Sequence, residues 1–178
     1  TNCVSIDLGV NNFVTMTNNV GLQPIVINGK GIKSINQYYN KQRLKLMGNL
    51  IHRNNQHWSH KLDTLNKKRY NRIKNFMHHD SRYIINYCIE NNIDNLAIGL
   101  NKKWKQNCKL GDKTTQAFTF IPYETLIKQL QYKCDEHGIQ CIVNEESYTS
   151  GTSFLDNEEP TKENYNKKRR IKRGLFKS

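Results

Sequence analysis

Acidic side chains are scarce: 15 Asp and Glu stand against 28 Lys and Arg in 178 residues, a formal charge of +13. Such an imbalance makes a small neutral substrate a poor expectation and a polyanion a good one, nucleic acid first. Long apolar runs are absent as well. No stretch of about eighteen apolar residues occurs, and the opening TNCVSIDLG lacks the basic flank and cleavage pattern of a signal peptide, so neither a membrane span nor export is expected. The expected compartment is the cytoplasm. Cys3, Cys88, Cys108, Cys134 and Cys141 never form a C-x-x-C pair, so neither a disulfide frame nor a zinc ribbon is expected and the thiols read as reduced packing residues. With only three prolines and no Pro-, Gly- or Ser-rich linker, one domain is expected over 1–178. Thr1 in place of Met and a closing basic run, RRIKRGLFKS, give both ends the look of cuts in a longer protein.

What is present is periodicity. Residues 3–8, CVSIDL, alternate strictly with Val4, Ile6 and Leu8 on one face, and residues 13–17 and 24–27 are short and β-rich, with Gly or Asn turns between. Three adjacent strands follow. The period then changes to three and four over residues 35–50 and 62–88, predicting two amphipathic helices broken near Asn54 and Asn55. Residues 94–99, DNLAIG, read as a buried strand; Pro122 opens a helix through Leu126, Leu130 and Cys134 that Gly138 stops, and residues 139–143 form a last strand. The expected class is α/β: a mixed sheet flanked by helices, with a long helical insertion at about 35–92 between the third and fourth strands. RNase H-like domains share this layout with several other folds.

Charge is concentrated. Between Lys41 and Lys74 the only acid is Asp63, and residues 161–178 hold only Glu163. Arg69 and Arg72 in the first segment and Arg169 and Arg170 in the second are expected to meet phosphate without reading bases. The loop NKKWKQ offers Lys102, Lys103 and Lys105 for phosphates and Trp104 for stacking on a base, with core packing the alternative for Trp104. His78 and His79 are expected to pack, because adjacent helical side chains diverge by about 100°. Asp7 interrupts an apolar strand. Its carboxylate, if buried, demands a cation or strong donors; the competing reading is an Asx turn in which Gly9 supplies a positive φ.

Over nearly the whole chain, VSIDLGVNNFVTM followed by INGKGIKSINQYYNKQRLKL, then HHDSRYIINYCIENNIDNLAIGLNKKWKQ, then FTFIPYETLIKQLQYKCDEHGIQCIVNEESYTSGTSFLD and RRIKRGLFKS, resembles in order the RuvC-like domain of the TnpB/OrfB family up to its last catalytic motif. That family comprises RNA-guided nucleases of bacterial insertion sequences, often called transposases. The resemblance implies an RNase H-like (RuvC-like) fold, nucleoid association, guide RNA and DNA as partners, and a pair of Mg²⁺ or Mn²⁺ ions about 4 Å apart held by acids from separate strands. It places the first ligand at Asp7. Many relatives carry the second just after the fourth strand, where this chain has Gly99; a subset with that glycine carries glutamate in the E-S-Y-T-S segment. Glu146 is then the expected substitute, favoured over Glu145 by its register to Tyr148, Thr149 and Ser150, although a slip of one residue reverses the choice. The third acid of the family is expected beyond Ser178, so this piece alone is expected to be inactive. Relatives commonly carry paired cysteines after the T-S pair; SGTSFLDNEEP has none, so no zinc is expected, and Asp156 reads as a turn acid, with an accessory metal ligand the alternative.

Two other functions compete. A guided DNA-binding protein that no longer cuts is the alternative to the endonuclease. An actin-like ATPase, suggested by I-D-L-G alone, is excluded by length and by the missing second D-x-G loop.

Overall fold

The computed structural model describes residues 1–100, 120–153, 155–172 and 175–177. The opening alternation becomes β1 (Cys3–Leu8), with Val4, Ile6 and Leu8 buried on one side and Ser5 and Asp7 exposed on the other. β2 (Asn12–Asn18) returns antiparallel with Thr15 opposite Asp7, and β3 (Ile25–Asn28) returns again. Gly9 is needed at the tight turn between β1 and β2, because a Cβ there would stand 2.6 Å from the Asn12 carbonyl oxygen. Its φ is not positive. The competing reading of D-L-G, an Asx turn with a positive φ at Gly9, is therefore corrected: the glycine serves close backbone approach.

Two long helices follow, α1 (Lys30–Asn54) and α2 (His60–Glu90). The first begins at Lys30 rather than 35, without a side-chain cap of its own; Asn28 Oδ1 instead accepts from the Lys30 amide at 3.1 Å. It ends where Asn55 adopts φ 47°, the left-handed stop that Asn tolerates. Ser59 starts α2 by accepting from the Leu62 amide at 3.2 Å. Ile73, Met77, Ile84, Ile85 and Cys88 of α2 are buried with the apolar side of the sheet, each such aliphatic side chain contributing roughly 1.5–3 kcal/mol.

β4 (Asn95–Gly99) runs parallel to β1. α3 (Tyr123–Glu136) then buries Leu126, Leu130 and Cys134, and Gly138 at φ 68° turns the chain into β5 (Gln140–Asn144), parallel to β4. The order β3-β2-β1-β4-β5 is a five-stranded mixed sheet in an α/β fold. Between α2 and α3 lies a polar tie: Lys133, 3% exposed, donates to the His78 carbonyl at 3.1 Å and to Ser81 Oγ at 2.6 Å. Beyond β5 the chain forms short 3-10 turns at Thr149–Gly151 and Lys167–Arg169, then a small hairpin, β6 (Arg170–Lys172) and β7 (Leu175–Phe176). Cys3, Cys88, Cys134 and Cys141 are free thiols, and the second and third are fully buried. Among the described residues no helix is long and apolar enough to cross a membrane.

Candidate functional site

β1, β4 and β5 are mutually parallel, so their carboxyl ends lie side by side, the usual place for ligands on such sheets. Ile6 pairs with Ile98, and Gly99 with Asn144. Asp7 and Gly99 therefore follow at one level on neighbouring strands, facing away from the helices.

Asp7 is exposed. The expectation that burial forces it to find a cation is corrected, since the alternation that buries Ile6 and Leu8 must send Asp7 to the open side. The demand for positive charge comes from a second acid. After β5 the chain turns so that Glu146 lies over Gly99: a Cβ at Gly99 would stand 1.5 Å from Glu146 Oε1 and 2.0 Å from its Cδ. The carboxylate thus occupies the room that a side chain at position 99 would take. Burial pushes the Glu146 carboxyl above its ordinary pKa, and the negative charge of Asp7 pushes the same way. Thr149 Oγ1 holds the Glu146 carbonyl at 3.0 Å. Glu145, by contrast, is exposed and accepts from Ser147 Oγ at 2.9 Å.

Hard oxygen donors of like charge, brought together on a patch without a Cβ, suit a divalent cation, which would relieve their repulsion. Among the described residues no group of three His, Cys, Asp or Glu side chains is placed to hold a metal ion.

Tyr123 was not singled out from sequence. Its ring stacks on Phe13 with centroids 6.0 Å apart, and its hydroxyl donates to the Gly9 carbonyl at 2.8 Å, tying the first turn of α3 to the end of β1. Burial, with Asp7 adding to it, raises the phenol pKa far above neutrality, so the group acts as a donor and not as a base. A Pro-Tyr-Glu helix start was the only signal available.

The basic residues divide. Lys102, Lys103, Trp104 and Lys105 lie outside the described residues. Arg72 and Arg170 stand exposed. Arg69 is engaged inside the fold: Nε donates to Asn36 Oδ1 at 2.8 Å, Nη2 to the Phe120 carbonyl at 3.0 Å, and the guanidinium lies 4.9 Å from the Tyr39 ring centroid and 5.0 Å from that of Phe120. Arg169 bonds Glu158 at 2.6 Å and Asp156 at 3.0 Å, closing the segment that follows Thr149. Asp156 is thus an ion-pair partner at a turn. His78 packs at the α2–α3 tie through its carbonyl, while His79 Nδ1 lies 3.8 Å from the buried Asp80.

A family model described as OrfB_IS605, probable transposase, matches residues 1–105. Among curated proteins no sequence matches. Two solved structures share the fold. One is the cryo-EM structure of a Cas12f1–sgRNA–target DNA complex, with TM-score 0.65 and 17% identity over 85% of this chain. The other is that of a CRISPR-Cas12f ternary complex, with TM-score 0.66 and 16% identity over 85%. The chain spans 30% of the length of each.

Proposed function

The chain belongs to the OrfB_IS605 family of probable transposases, and from that membership we propose that it is the RuvC-like, RNase H-like core of an insertion-sequence endonuclease that cuts DNA under RNA guidance. The observation that carries this reading is the Glu146 carboxylate standing where a side chain of residue 99 would be, beside Asp7. The strand order and the sgRNA and target DNA bound by the Cas12f neighbours support it.

Asp7 and Glu146 would hold Mg²⁺ or Mn²⁺ through carboxylate oxygens. A divalent ion there supplies Lewis-acid polarisation of a phosphate and a more acidic water. The protein's own part is orientation. Tyr123 fixes the Gly9 backbone and with it the end of β1, and Gly99 leaves space for Glu146. Exposed cations such as Arg72 and Arg170 bind backbone, leaving sequence choice to base pairing. Closure of the 149–177 segment by Arg169, Asp156 and Glu158 supports a version of this region without zinc.

The test is guide-dependent cleavage by the full-length protein. Asp7→Asn and Glu146→Gln should each lower cutting by at least about a hundredfold, and Glu145→Gln should leave it near normal. Unchanged cutting by Glu146→Gln removes the assignment. Loss of cutting in no variant, because the native protein binds DNA under guidance yet never cuts, supports the non-cutting alternative.

A further inference from the structure

We propose that the cavity between α1 and α2 is a binding site for one nucleotide of single-stranded RNA, with the base stacked on Tyr38 and the adjoining phosphates on Lys61, Lys68 and Arg72. The proposal rests on the nucleic-acid reading above and names a place that the carboxylate site does not include.

The cavity measures about 300 Å³, at the lower end of small-molecule sites and enough for a base with its sugar. Ile35, Leu46 and Leu65 give it apolar lining, and the rest of the lining holds four cations, three of them exposed, and no acid. Asp63, the only carboxylate in this basic stretch, is held by Lys67 at 2.9 Å. Lys61, Lys68 and Arg72 take part in no ion pair among the described residues. Their charge faces solvent around an apolar recess, the arrangement that attracts a polyanion and then offers its bases a dry surface.

The back wall is rigid before any ligand arrives. Tyr39 donates its hydroxyl to Asn66 Oδ1 at 2.8 Å, and Arg69 lies over the Tyr39 ring while bonded to Asn36. Such fixation keeps the recess from collapsing and lowers the ordering cost of binding. At the mouth, Tyr38 is 55% exposed, an aromatic face with no partner ring among the described aromatic pairs. Stacking on such a ring tolerates any base. Gln42 and Thr64, also in the lining, are neutral groups able to exchange hydrogen bonds with a ribose 2′-hydroxyl, which favours RNA over DNA.

The experiment uses the full chain and a short single-stranded RNA carrying one fluorescent adenine analogue, with the matching DNA and an RNA bearing an abasic site at that position. Binding should quench the fluorophore. Tyr38→Ala should weaken RNA binding about tenfold and remove the quench, and Thr64→Phe, which fills the recess at an exposed helical position without altering charge, should do the same. Neither variant should change affinity for the abasic strand. If the native chain binds RNA and both variants bind and quench equally, the pocket assignment is overturned while the nucleic-acid reading stands. DNA bound as tightly as RNA, with the same quench, overturns the RNA assignment. No binding of either strand overturns the nucleic-acid reading together with this proposal.

Discussion

Replacing Gly99 by Ala tests the geometry of the carboxylate pair with a single methyl group. The new Cβ would begin 1.5 Å from Glu146 Oε1 and 2.6 Å from its Cγ. Carbon and oxygen need about 3.5 Å, so the carboxylate must retreat by roughly 2 Å. The obstacle is the far end of a flexible side chain, and the fold can yield cheaply. Removing a strand glycine returns about 0.5–1 kcal/mol, whereas forcing Glu146 off its rotamer costs about 0.5–1.5 kcal/mol. The two nearly cancel, and the melting temperature should stay within about 2–4 °C of native. Function should not be spared. A displacement of about 1 Å in an aligned site costs about a hundredfold in rate, so guide-dependent cleavage by full-length Gly99→Ala should fall by at least that factor. Leaving its burial, Glu146 should also titrate nearer its ordinary range. A double variant, Gly99→Asp with Glu146→Ala, returns an acid to the vacated volume and should recover part of the lost cutting. Native cutting by Gly99→Ala at an unchanged melting temperature would refute the claim that this volume belongs to a working carboxylate.

Other outcomes follow from the same structure. Asp80 is 7% exposed, its Oδ2 has no hydrogen-bond partner among the described residues, and burial raises its pKa to about 6 against a weaker opposing pull from His79. The folded state therefore holds this proton more tightly than the unfolded chain does. Its stabilising effect is complete below the ordinary carboxylate range and is lost as pH rises through about 6. Asp80→Asn should raise the melting temperature at pH 8 by several degrees and do little near pH 4; equal shifts at both would contradict the assignment. Arg69→Met should cost about 2–4 kcal/mol in urea titration by orphaning Asn36 and the Phe120 carbonyl. Arg72→Met should instead leave stability alone and reduce the salt dependence of nucleic-acid binding. Tyr123→Phe should cost about 1 kcal/mol through the lost bond to Gly9 and lower cleavage more than that loss of stability explains.

The sheet was legible because alternation and helical periodicity are local. β1 was read over the same residues that form it, and β4, β5 and α3 differ from their expected bounds by about one residue, the usual fraying at ends. The start of α1 was not legible, since the N-cap position is Gly29, which has no side chain, and the capping oxygen comes from Asn28 one residue earlier. At the site, the preference for Glu146 over Glu145 came from register, and the structure puts the former over Gly99. The exposure of Asp7 follows from the same alternation, which puts Val4, Ile6 and Leu8 on the opposite face. What sequence could not supply was pairing at long range. Nothing in the residues around Arg69 says that its guanidinium meets the carbonyl of Phe120, and a basic run looks the same whether Arg169 contacts phosphate or Glu158. The burial of Lys133 was hidden for the same reason: its partners, the His78 carbonyl and Ser81 Oγ, lie on another helix. The segment after β5 has too little periodicity to have been read as turns and a hairpin.

An acid mounted on the ladder of β4 would be held by hydrogen bonds on both sides, whereas Glu146 projects from connecting chain anchored by Thr149 and by the left-handed Tyr148 at φ 69°. That stretch is in turn secured downstream, where the Asn166 amide donates to the Gly151 carbonyl at 2.9 Å and Tyr165 packs on Tyr148. The edge of the sheet that carries Glu146 is consequently tied to the segment leading into the small terminal hairpin. A substitution in that terminal segment is therefore expected to displace Glu146 without touching either acid, a dependence that an acid on the strand itself would not have.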